Sequence, residues 1–478
     1  MRRLRTFESL RNRNYRLYVA GQTLSANGTW MQRVGQGWLV LELTGSGTLL
    51  GVTLALQHLP MLLAGPWGGL FADRLDKRRL LLWTQSISGA LALFLGVLTA
   101  TGLVQFWMVL ILAFALGTVN ALDHPTRQTF VLEMVGSNQV TNAVTLNSIV
   151  NNAAKAVGPA IAGVLISIAG LAASFLINAV SYFAVVVALA LMSTGDLRPS
   201  AAPRRARGQL REGLRYVART SELAAPLLLM TLAGMLAFEF QVVLPLFARD
   251  TFGGGSEIYG LMFSAMGIGA VLGGLIVAGS LRATNTVLLV SALGFGGLVL
   301  IAAIAPTLTL ALVALFGIGA ASIAFRATAN SMLQLRASPE MRGRVMALWG
   351  IAMMGTTPIG GPLIGRIAET AGPRFALGLG GVATMIGAIA LFVHLLRRRV
   401  PDFAGPVPPD ISASAIDTAA GADSPIPRTP PVTAALRRSW LGRLGPPRAD
   451  AARNGRPPDG VASGAGGASK ERPDERRR

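Results

Sequence analysis

The chain has 478 residues, 52% of them hydrophobic and only 14% charged, with a formal net charge of +20 and a mean hydropathy of +0.52. Soluble domains carry roughly 25% charged residues, so a soluble enzyme, a fibrous protein and a secreted disulfide module are disfavoured. Cysteine is absent, which excludes disulfides, thiolate metal sites and cysteine nucleophiles.

Apolar segments recur along the first part of the chain, many near the roughly 20 residues that cross a bilayer core as helix. They fall at 15–41, 47–72, 78–100, 104–124, 140–169 and 171–192, then at 223–248, 257–281, 285–304, 307–329, 343–371 and 373–396. The predicted fold is an all-α membrane protein of twelve transmembrane helices in two pseudo-symmetric six-helix bundles, 1–192 and 223–398. No cleavable signal peptide is expected, because the basic start has no small-residue cleavage site.

Basic residues orient the spans. They cluster before span one (Arg2, Arg3, Arg5, Arg11, Arg13, Arg16), between spans two and three (Arg74, Lys77, Arg78, Arg79) and between the halves (Arg198 to Arg219). Arg127, Arg282, Arg336 and Arg397 continue the pattern, and the connections on the other side are nearly free of Lys and Arg. Both termini are expected in the cytoplasm. The connection 193–222 pairs Leu210, Leu214 and Val217 at helical spacing with Arg211, Arg215 and Arg219. That pattern predicts a short amphipathic helix on the membrane surface. Residues 399–478 are rich in Pro, Gly, Ala and Arg, a composition too poor in large apolar side chains to repay ordering, so a disordered cytoplasmic tail is expected.

The halves echo each other. Gly158-Pro159-x-x-x-Gly163 in span five corresponds to Gly361-Pro362-x-x-Gly365 in span eleven. Proline removes a backbone donor and bends a helix, and glycine allows close helix packing. Gly158, Pro159, Gly163, Gly361 and Pro362 are therefore candidate bending or sealing positions, with ordinary packing as the alternative. Six-span halves in parallel repeat are a transporter pattern, with a substrate site near mid-membrane between them.

Arg33, Lys155 and Glu239 are ionisable residues deep inside spans one, five and seven. Such residues usually face the bundle interior, because a charge in lipid is costly. Gln22, Asn27 and Gln32 of span one and Asn151 of span five join them as candidate cavity residues. Glu239 is the best carboxylate for proton coupling, and a structural ion pair with Arg33 or Lys155 is the other reading. Trp30, Trp38, Met235, Phe238 and Phe240 either wall the cavity or sit at lipid-facing and interface positions.

The run Gly69-Leu70-Phe71-Ala72-Asp73-Arg74-Leu75-Asp76-Lys77-Arg78-Arg79 resembles the loop signature of the major facilitator superfamily, with Asp76 where many members have glycine. Asn14-Tyr15-Arg16, Met31-Gln32-Arg33, Asp123-x-Pro125-x-Arg127 and Lys155 before Gly158-Pro159 narrow the likeness to the branch of enterobactin exporters and macrolide efflux proteins. The resemblance covers roughly residues 8–398. It implies a conformational latch at Gly69, Asp73, Arg74, Arg78, Asp123 and Arg127. In that latch Asp73 faces span eleven, and the neighbouring arginines pair with Asp123. Ala113 stands where many proton antiporters of the superfamily carry an arginine.

The expected function is export of a small amphiphilic molecule, a siderophore or a drug-like compound, from a bacterial cell by alternating access with proton antiport. An uptake carrier or facilitator, and a receptor or scaffold on the same fold, are the rivals. No Walker loop, dinucleotide fingerprint or catalytic triad is evident, so an enzyme, a cofactor and a metal are not expected. The expected partners are the substrate, protons and the lipid bilayer, with no nucleic acid, and the protein is expected to be a monomer.

Overall fold

A computed structural model describes residues 5–197, 209–280 and 283–397. Arg2, Arg3, the connection over 198–208, Arg282 and the tail expected over 399–478 lie outside the described residues. The first half comprises α1 (Arg13–Thr44), α2 (Gly47–Arg74), α3 (Lys77–Ala100), α4 (Phe106–Val135), α5 (Val140–Ala169) and α6 (Leu171–Ala190). A short α7 (Gln209–Arg219) leads into the second half. There α8 (Ser221–Leu236), α9 (Phe240–Leu246) and a π turn (Phe247–Thr251) make one passage. It continues with α10 (Ser256–Ser280), α11 (Asn285–Ile304), α12 (Leu308–Arg336), α13 (Pro339–Met354), α14 (Thr357–Ala371) and α15 (Pro373–Arg397).

Local chemistry sets the helix ends. Asn12 caps α1 by accepting from the Tyr15 backbone N–H, and Gly45, at φ 65°, closes it by donating to the Leu41 carbonyl. Only a residue tolerant of left-handed backbone suits that position. Asp76 caps α3 through the Arg79 backbone N–H, a carboxylate at the positive end of a helix.

Nine passages among the described residues are long and apolar enough to cross a membrane. The α1 helix falls below that mark because Gln22, Asn27, Gln32, Arg33 and Gln36 interrupt it, and the eleventh passage is split between α13 and α14. Three passages differ from their predicted shape. The α4 helix runs through Pro125 to Val135, so Asp123 and Arg127 lie within it rather than at its end. The seventh passage breaks ahead of Glu239, whose carbonyl then accepts from the Val242 and Val243 backbone N–H groups. The eleventh breaks at Gly355 and Thr356, ahead of the expected bend at Gly361-Pro362, while α5 continues through Pro159.

Within the first half α1 packs on α5 and α6, α3 on α4 and α6, and α2 on α4. In the second half α10 and α11 pack on α12, and α15 packs on α8, α11 and α14. The halves meet chiefly through α5 against α10 and α2 against α14. The largest apolar cluster carries this junction: Met31, Val34, Trp38 and Leu41 of α1 and Ala162 and Ile166 of α5 join the core of the second half. The α7 helix rests on α13, where Arg344 pairs with Glu212 at 2.9 Å.

Candidate functional site

The halves close on each other at the end remote from the termini. Gly51 and Gly361 are in backbone contact: a Cβ on Gly51 would stand 2.2 Å from the Gly361 carbonyl oxygen. One turn away a Cβ on Gly365 would meet the Gly47 carbonyl oxygen at 2.1 Å. On the pseudo-symmetric side, a Cβ on Gly163 would reach the Glu257 Cα at 2.9 Å, and one on Gly260 the Pro159 carbonyl oxygen at 2.4 Å. Gly158 lies equally close to Trp30 of α1. The Gly-Pro segments thus lie in the junction between the halves, with Gly361, Pro362 and Gly365 against α2 and Pro159 and Gly163 against α10.

Polar groups tie the same end. Glu369 of α14 accepts from the Ser46 hydroxyl at 2.7 Å, the Thr48 hydroxyl at 2.6 Å and the Thr48 backbone N–H at 3.0 Å. Trp38 stacks on Tyr259 with ring centres 6.3 Å apart. Nothing in the sequence pattern singled out Glu369, because an acidic residue at a helix end is commonplace until its partners are known.

Charged side chains gather at mid-passage. The Arg33 guanidinium lies 4.5 Å from the centre of the Trp30 ring, and the Lys155 ammonium lies 5.8 Å from the same ring. From the second half, the Arg326 guanidinium lies 4.2 Å from the centre of the Phe238 ring. Lys155 stands within electrostatic range of both Arg326 and Arg33. Among the described residues none of the three cations forms an ion pair or a hydrogen bond, and the Arg326 Nε is buried without an acceptor. Sequence reasoning passed over Arg326, although an arginine inside an apolar span is itself the signal that finds it.

Glu239 is buried at the break in the seventh passage. It lies near Thr357 of α14, and it pairs with neither Arg33 nor Lys155, the ion-pair alternative. The aromatic residues pack inside rather than toward lipid. Phe238 stacks on Phe295 with ring centres 4.7 Å apart, and Trp30 lies against Phe263 at 6.2 Å.

The polar residues of α1 diverge. Gln22 accepts from Arg127, Asn27 donates to the Thr23 carbonyl, and Gln32 accepts from Asn178 of α6 at 2.5 Å. At 100° per residue Gln32 points away from its neighbour Arg33, so the candidate cavity residues of α1 do not all turn to one side. Asn151 donates to the Asn147 carbonyl within α5.

At the termini end, Gly69, Asp73 and Arg74 occupy the last turns of α2, and their side chains lie outside the described residues. Among the described residues Asp123 does not meet the basic cluster of the loop. It accepts from Thr84 and Gln85 of α3, both at 2.7 Å, and pairs with Arg127 one turn along α4. The longer α4 explains the difference, because it carries Asp123 inward, level with Thr84 and Gln85 about two turns into α3. Arg78 donates instead to the Leu189 and Ala190 carbonyls at the end of α6. The acidic partner near the end of α4 is Glu133, which forms a buried pair with Lys77 at 2.5 Å. Among the described residues no group of three or more His, Asp or Glu could hold a metal ion.

A family model described as transmembrane secretion effector matches residues 4–408. The chain is 27% identical over 378 residues to the staphyloferrin A transporter of Staphylococcus aureus, across 78% of this chain and 94% of that one. It is 24% identical over 386 residues to macrolide efflux protein A of Streptococcus pyogenes, across 79% of this chain and 95% of that one. The fold resembles the crystal structure of the nucleoside transporter NupG, with a TM-score of 0.64 at 14% identity over 80% of this chain and 98% of that one.

Proposed function

The chain belongs to the transmembrane secretion effector family of the major facilitator superfamily, and from that premise we propose that it exports a small amphiphilic molecule across the bacterial cytoplasmic membrane. It is a multi-pass membrane transporter, not an enzyme. The cargo is of siderophore or drug-like kind, the motion is alternating access, and proton antiport drives it. Both termini lie in the cytoplasm, the protein works as a monomer, and its bundles span 1–192 and 223–398.

One observation carries the reading. The halves touch backbone to backbone at the remote end, while Arg33, Lys155 and Arg326 have no ion-pair partner at mid-passage among the described residues. Such an arrangement suits a site closed on the outside that a cytoplasmic molecule can reach. In the opposite state the remote contacts part, and the termini end closes through Gly69, Asp73, Arg74 and Arg78, with the Asp123–Arg127 network bracing α1, α3 and α4.

Glu239 carries the proton. It sits at a helix break beside Thr357, so its protonation is felt by both α9 and α14, which move relative to the first half. Having no cation partner, it exchanges a proton without breaking an ion pair. The test uses everted membrane vesicles challenged with catecholate siderophores, macrolides and fluorescent dyes. The expected result is ligand-dependent collapse of the pH gradient, lost in Glu239→Gln while the protein remains folded. Normal export by that variant would refute the assignment, and accumulation without proton movement would refute antiport.

A further inference from the structure

We infer that the transported molecule is an organic anion, its negative group held between Arg33 and Lys155 of one half and Arg326 of the other. The inference deepens the export reading and rests on it for the word transported.

Three observations carry it. The cations come from three passages, α1, α5 and α12: Arg33 and Lys155 flank the Trp30 ring, and Arg326, over the Phe238 ring, is close enough to Lys155 to repel it. None has an ion-pair or hydrogen-bond partner among the described residues, and Glu239, the buried carboxyl next to Phe238 in the chain, pairs with none of them. Each cation instead lies over an aromatic ring, Trp30 or Phe238, a weaker partner than a carboxylate.

Unpaired cations inside a bundle are unfavourable, and like charges on facing halves repel. Lys155 lies at the crossing of α5 and α10, with Arg326 across the junction. A bound anion turns that repulsion into attraction and draws the halves together, so the cargo itself contributes to closing the site. Trp30 and Phe238 offer flat apolar faces beside the charges, which fit an anion with an aromatic or apolar body. A cationic drug would meet the same charges as repulsion.

The test compares two xanthene dyes of similar shape and opposite charge, fluorescein and tetramethylrhodamine ethyl ester. The purified full chain is titrated with each, and binding is read by fluorescence anisotropy. Fluorescein is expected to bind about tenfold tighter, the scale of one charge-assisted hydrogen bond. Arg326→Gln and Lys155→Gln should each weaken fluorescein about tenfold and leave the cationic dye unchanged or tighter. Arg326→Lys, which keeps the charge, should retain most of the affinity, and the helix content of each variant confirms folding. Equal affinity for the dyes, binding of neither, or fluorescein binding untouched by the variants overturns the inference. Energised uptake into everted vesicles separates the two readings. Fluorescein binding without accumulation would leave the anion site standing and refute export. Accumulation of the cationic dye alone would uphold export and overturn the anion.

Discussion

Gly51 of α2 and Gly361 of α14 face each other across the two halves so closely that a Cβ on Gly51 would stand 2.2 Å from the Gly361 carbonyl oxygen. No side chain fits there while the remote end is shut. Gly51→Val should force the halves apart at that end. The chain has no cysteine, so a single Ser256→Cys, buried beside Gly163, reports the change without background. Its labelling by a membrane-impermeant maleimide should rise about tenfold in Gly51→Val, the scale of a population shift of one to two kcal/mol. Unchanged labelling would mean that Gly51 does not hold the remote end closed.

Glu369 bonds the Ser46 and Thr48 side chains from the opposite half. Glu369→Gln should weaken this tie and raise Ser256→Cys labelling in the same direction as Gly51→Val, though by less. Glu369→Asp pulls the carboxylate back by one methylene, so it should fall between parent and Gln. Identical labelling rates across the three would show that the glycine contacts suffice alone.

Lys77 and Glu133 form a buried pair joining α3 to α4. Removing one partner strands a buried charge, at a cost of about 3–5 kcal/mol. Lys77→Met or Glu133→Leu should therefore lower the thermal midpoint of the purified chain markedly. The double replacement removes both charges of the pair and should recover part of the loss. A double variant as unstable as the singles would show that the pair does more than satisfy itself.

Arg326 and Phe238 predict opposite effects from neighbouring sites. Arg326→Met removes a cation that has no acceptor among the described residues, of a kind costing about 2.5–3.5 kcal/mol on membrane-insertion scales, so the ligand-free protein should become more stable. Phe238→Ala opens a cavity against Phe295 and Phe325 and should cost about 3–5 kcal/mol. Thermal unfolding of both in detergent checks the pair of signs. Loss of stability in Arg326→Met would reveal that the guanidinium holds the fold together.

Twelve apolar passages, their grouping in two sets and the Gly-Pro repeat could be read from the chain, because lipid imposes long apolar runs and close packing imposes small residues. Arg33, Lys155 and Glu239 stood out for the same reason, as charges where lipid tolerates few. Partners were another matter. Asp123 meets Thr84, Gln85 and Arg127 because α4 runs past Pro125, and one proline in a sequence does not say whether a helix stops or continues. Lys77 finds Glu133, and Glu369 finds Ser46 and Thr48, across sequence separations that no local pattern spans. Gln32 faces α6 while adjacent Arg33 faces Trp30, since one residue turns a helix by 100° and only packing decides which face looks inward. Hydropathy is a property of each segment and survives in the sequence. The pairing of charges depends on which helices lie side by side, and that is decided only when the two halves fold together.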